Sequence, residues 1–98
     1  MYKTIRITRE DIRLGWTQDA NHCPIARAVC RTLDIPVRAH SVEVDGNTVE
    51  VNNDRFEIEM YLPKKAQSFV ERFDKREPVR PFSFRLDVRE YVPETEEE

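Results

Sequence analysis

Glycine is almost absent, at two residues in ninety-eight. That excludes the Gly-rich loops by which P-loop and dinucleotide-binding folds cradle phosphate. Cysteine is equally scarce, again two. Cys23 and Cys30 stand seven apart in a stretch whose apolar spacing predicts one helix. At about 1.5 Å rise per residue they are separated by about 10 Å, beyond the roughly 7 Å that a disulfide tolerates. The same separation keeps both sulfurs off one zinc, and His22 and His40 add no structural zinc spacing. Neither a metal nor a cofactor is expected. No apolar run approaches the ~20 residues that cross a bilayer, and Met1 to Arg6 lacks the apolar core of a signal peptide. The expectation is a cytoplasmic protein with reduced thiols and no membrane contact.

Charge of one sign is also lacking once the chain is divided. There are 16 basic and 19 acidic residues, and four of the acids (Glu94, Glu96, Glu97, Glu98) lie in the last five positions. The remainder is 16 against 15. This predicts a single near-neutral domain over 1–92 and an acidic disordered tail over 93–98. Without a basic block, nucleic acid is not an expected partner.

What is present is regular patterning. Ile5 and Ile7 mark a first strand over residues 2–8. Thr8, three residues before Asp11, reads as a capping box opening a short helix, with Gly15 as its C-terminal cap. Trp16 is expected to pack on the core. Pro24 suits a first helical turn, and Cys23, Ala26, Cys30 and Leu33 with Ile25 and Val29 form an apolar stripe. Arg27 and Arg31 fall on the opposite, solvated face, with Asp34 as their nearest acid. Asp45-Gly46-Asn47 between alternating valines predicts a hairpin, and Asn52-Asn53-Asp54 a second turn. Phe56, Ile58, Met60 and Leu62 alternate with polar residues as a half-buried strand. Pro63 opens a third helix with Ala66, Phe69, Val70 and Phe73 inside. Phe82, Phe84, Leu86 and Val88 form a last strand, and His40 is placed on a strand. The predicted fold is two-layer α+β, a mostly antiparallel sheet of four or five strands with helices on one face, in the order β-α-α-β-β-β-α-β.

Three features are candidates for function. A cysteine at a helix start can be activated as a thiolate, but Cys23 has no orienting third group and no phosphatase loop, so catalysis is not expected. The same helix start, with Asn21, His22, Arg27 and Arg31, has the makings of an anion site, and Trp16 offers a surface on which a base can stack. A small phosphorylated ligand such as a nucleotide is the matching partner. The exposed side of the sheet carries Arg55, Glu57, Glu59 and Tyr61, with Arg85 and Arg89 from the last strand. This charged face suits a protein partner or a homodimer.

The segment Cys23-Pro24-Ile25-Ala26, preceded by Thr8-Arg9-Glu10-Asp11-Ile12 and Gly15, resembles a group of small phage and prophage proteins. Leu62-Pro63, Phe69-Val70, Phe73-Asp74 and Pro81-Phe82-Ser83-Phe84 are similar to that group as well. Arg27 departs from it, standing where an aliphatic residue is common. The resemblance implies a phage-encoded, non-enzymatic binding protein that counters host defence by inhibiting a host defence protein. A nucleotide sponge is the alternative at Asn21–Arg27, and a structural or accessory phage protein is a further one.

Overall fold

The computed structural model describes residues 2–88; Arg89 and the acidic stretch 93–98 lie outside them. The elements are β1 (Tyr2–Ile7), α1 (Arg9–Leu14), α2 (Pro24–Leu33), β2 (Val42–Val44), β3 (Thr48–Asn52), β4 (Glu57–Tyr61), α3 (Lys64–Asp74) and β5 (Phe82–Asp87). A 3₁₀ turn at Val37–Ala39 precedes β2, and His40 closes it in the left-handed region (φ 55°) instead of extending a strand. The α+β class is as predicted, and the element order roughly so. No helix of the described residues is long and apolar enough to cross a membrane.

Two antiparallel sheets stand where one was expected. β1 pairs with β5, from Tyr2 opposite Asp87 to Ile7 opposite Phe82. The second sheet runs β2-β3-β4. β4 and β5 touch without forming a ladder. Prolines flank the two strands and limit their extension: Pro63 follows β4 by two residues and Pro81 directly precedes β5. Neither has an N–H to offer a neighbouring strand. Leu62, between β4 and Pro63, gives its N–H to the Asn47 carbonyl (2.7 Å), back toward β3. Met60, Tyr61, Phe84 and Arg85 line the notch of about 530 Å³ that remains.

The two sheets share one helix. α2 packs against β1 and β2, and Pro24, Ile25, Ala26, Ala28, Val29, Cys30 and Leu33 are all buried. With seven of its ten residues inside, α2 is a core element more than an amphipathic surface helix. Ile5, Ile7, Val42, Val49, Val51 and Leu86 complete the floor beneath it. α3 lays Ala66, Phe69 and Val70 inward, and its Phe69 ring lies 4.9 Å from that of Phe82 on β5.

The turns use side-chain acceptors. At the β2–β3 hairpin, Asp45 Oδ1 accepts from the N–H groups of Asn47 (2.9 Å) and Thr48 (2.7 Å). Those two bonds hold the Asp45 carboxyl below its ordinary value. Asn53 Oδ1 accepts likewise from Arg55 (2.9 Å) and Phe56 (2.8 Å) before β4. Gly15 is the C-terminal cap of α1 as expected, its N–H donating to the Asp11 carbonyl (2.8 Å). It is extended, at φ −72° and ψ 156°, so its backbone suits any residue. Space is what it provides: a Cβ there would lie 2.7 Å from Pro24 Cδ and 2.8 Å from the Asp11 carbonyl oxygen. The end of α1 thus seats directly on the start of α2.

Gly15→Ala is therefore expected to destabilise by about 1–3 kcal/mol through overpacking. Gly46→Ala, with nothing within 4 Å of the added methyl, is expected to stay within about 0.5 kcal/mol of the parent. Urea denaturation of the two variants checks both.

Candidate functional site

Asp11 is the buried charged residue among those described, at 0 % exposure. It is the third residue of α1, where its carboxylate completes the capping box. Oδ2 accepts from Thr8 N (2.9 Å) and Thr8 Oγ1 (3.1 Å), while Thr8 Oγ1 accepts from Asp11 N (3.2 Å). From α2, Arg31 Nη1 donates to Oδ1 (2.7 Å) and Nη2 to Oδ2 (2.9 Å). Nη2 also donates to the Arg6 carbonyl at the end of β1 (2.7 Å). Arg27 stands one turn earlier, its Nε 3.6 Å from Oδ1 and without a hydrogen-bond partner among the described residues. Burial pushes the Asp11 carboxyl upward, but the bonds from Arg31 and Thr8 outweigh it and hold the group below its usual value. The bond to Asp11 raises Arg31 in return. The two arginines expected on an anion-binding helix face are thus turned toward a carboxylate of the protein itself. Asp34, their nearest acid in sequence, instead closes α2 in the left-handed region (φ 58°).

The start of α2 is equally engaged. Cys23 is its N-cap, with Sγ accepting from Ala26 N at 3.5 Å. Burial pushes its thiol up to about 11, so the thiolate a nucleophile needs is not formed near neutrality. Cys30 is raised by burial too, and both thiols are free. Asn21 Nδ2 donates to the Val42 carbonyl (2.8 Å), and Val44 N donates to the Ala20 carbonyl (2.9 Å). Together they cover the outer edge of β2, an edge otherwise open to pairing with another chain.

The half-buried His22 and the exposed Trp16 form the outer part of this region. His22 Nδ1 lies 2.8 Å from Asp19 Oδ1, and that bond draws the Asp19 carboxyl below its ordinary value. The His22 ring stacks on Trp16, with centroids 4.4 Å apart and planes at 23°. His40 meets the His22 ring edge-on at 5.3 Å. Trp16 is 58 % exposed, contrary to the expectation that it packs on the core. Of the five ligand-set residues, Trp16 and His22 touch, while Asn21, Arg27 and Arg31 serve structural contacts.

The expected charged face divides between the sheets. Glu57, Glu59 and Tyr61 alternate outward along β4. Arg55 precedes the strand and lies over the Phe56 ring at 4.9 Å. Arg85 belongs to the other sheet, over the Tyr2 ring at 4.9 Å; Arg89 lies outside the described residues. On β2-β3-β4, register creates a feature that the sequence analysis missed. Glu43 opposes Glu50, and Glu50 opposes Glu59. All three are exposed, forming a row of carboxylates across three strands. None of them, nor Glu57, makes a salt bridge among the described residues. Directly opposed like charges destabilise a sheet, and glutamate is depleted in strands to begin with. The signal was present: placing the first hairpin turn at Gly46-Asn47 brings positions 43 and 50 opposite one another.

The pH dependence follows from Asp11. Its folded pKa lies below the unfolded value near 3.8, so the folded state binds fewer protons. The resulting stability is complete above that value and is lost as pH falls through the folded pKa. Asp11→Asn is expected to cost about 3 kcal/mol at neutral pH, the lower part of the range for a broken buried pair, because Arg31 is half exposed. The gap to the parent should narrow on acidification through the carboxylate range. Chemical denaturation at a series of pH values measures it, and a gap constant with pH would contradict an ionised Asp11.

No protein-family model, curated protein or solved structure matches this chain.

Proposed function

We propose that this chain is a non-enzymatic binding protein that inhibits a protein partner stoichiometrically, by laying the acidic outer face of β2-β3-β4 on a basic surface. The row Glu43, Glu50, Glu59 carries this reading. Three carboxylates held in cross-strand register oppose the stability of the sheet, and a cationic surface would relieve that repulsion on contact. Glu57 extends the acidic area and Tyr61 flanks it with an exposed aromatic, a residue type favoured at protein interfaces. The resemblance to small phage proteins makes a host defence protein the proposed partner, with the host cytoplasm as the place of action.

The alternative, a nucleotide sponge, rests on the outer face of Trp16, braced by His22. It lacks a phosphate clamp, since Arg27 and Arg31 face Asp11. The acidic face is therefore the stronger basis.

Glu50→Lys tests the proposal, because it separates binding from folding. The substitution turns two repulsive cross-strand pairs into attractive ones and should stabilise by on the order of 1 kcal/mol. That corresponds to a melting temperature higher by about 4–8 °C for a domain this size. Retention of the host partner should fall by more than about tenfold, and added salt should weaken retention by the parent chain. A more stable variant that still holds its partner would overturn the acidic face as the docking surface.

A further inference from the structure

A second charged surface has the opposite sign. Between α3 and the connection into β5 runs a groove of about 540 Å³, lined by Lys65, Arg72 and Arg80 around Phe69, Val79 and Phe82. Lys65, Phe69 and Arg72 follow one another at helical spacing, so one face of α3 presents two cations astride a buried ring. Phe69 and Phe82 form the floor, and Arg80 lies on the far wall. Lys65, Arg72 and Arg80 are exposed, and none has a salt bridge among the described residues. Among the described residues, no carboxylate lines the groove. The nearby acids of α3 are engaged elsewhere: Glu71 pairs with Lys75, and Asp74 accepts from Gln18 N.

We propose that the acidic stretch Pro93 to Glu98 of the same chain docks in this groove. Charge is the first argument, since Glu94, Glu96, Glu97 and Glu98 complement three cations that have no salt bridge among the described residues. Length is the second. The groove lies at the Phe82 end of β5, six residues before Val88, a distance of about 20 Å at strand rise. Returning along β5 takes about six residues, and reversing direction about two more. The chain then reaches Phe82 near position 96, with Glu96, Glu97 and Glu98 beside Phe82 and Arg80. Docking within one chain needs no second copy, and this placement does not involve the glutamate row on the opposite kind of surface.

Digestion with a glutamate-specific protease tests this, reading by mass spectrometry the rate of cleavage between Glu94 and Glu98. Cleavage of a docked segment tracks its undocked fraction. The whole chain should therefore be cut about tenfold more slowly at these sites than Arg72→Glu/Arg80→Glu, in which both changed positions are exposed and the fold is checked by circular dichroism. High salt should remove the difference. Adding Glu94→Lys and Glu96→Lys to the Arg72→Glu/Arg80→Glu background should restore protection of the Glu97–Glu98 bond. Equal cleavage rates in the two chains would overturn the proposal. Protection that grows with protein concentration would overturn it too, by assigning the segment to the groove of a second copy.

Discussion

A carboxylate without access to water must be neutralised or held by donors, and Asp11 is held by donors on every side that counts for the fold. Thr8 ties it to the start of α1, and Arg31 ties it to α2 and, through the Arg6 carbonyl, to the end of β1. The first three elements of the chain thus converge on one side chain. α1 has only six residues, too few to be stable alone. Its place depends on this ion pair and on the close seat that Gly15 allows against Pro24. α2, held at its start through Pro24 and in its last turn through Arg31, can then cover both sheets.

This anchoring separates the charges that shape the protein from those that face outward. Arg27 and Arg31 serve the interior contact, Asn21 covers the β2 edge, and Cys23 caps α2 with a protonated thiol. The helix start that has the makings of an anion site is thereby committed to structure. What remains available is the glutamate row on β2-β3-β4, a preformed surface on a rigid sheet. Its side chains are opposed like charges that work against the sheet, which is what the proposed docking role rests on.

Local patterns were legible in the sequence to the extent that local physics made them. The capping box at Thr8 and Asp11, the Pro24 and Pro63 helix starts, both turns and the alternation in β4 and β5 all depend on neighbours within a few residues. The Asp11–Arg31 pair joins positions twenty apart, and no periodicity announces it; Arg31 read as a solvated face because only α2 was in view. Trp16 was assigned inward on hydrophobicity alone, whereas its ring rests on His22 across a short loop. The single sheet failed for a related reason. Strand patterns show which residues alternate but not which strands pair, and β4 and β5 touch without forming a ladder. The glutamate row needed only turn centres and a count of positions.

The central claim is that Asp11 is ionised while fully enclosed, and that the fold is assembled around it. Carbon-detected NMR titration of the aspartate carboxyl groups is the most direct test. The account predicts that the Asp11 signal stays at its ionised position below the pH at which exposed aspartates titrate, and changes only together with loss of the folded spectrum. An Asp11 signal that titrates at an ordinary aspartate value while the fold remains intact would contradict it.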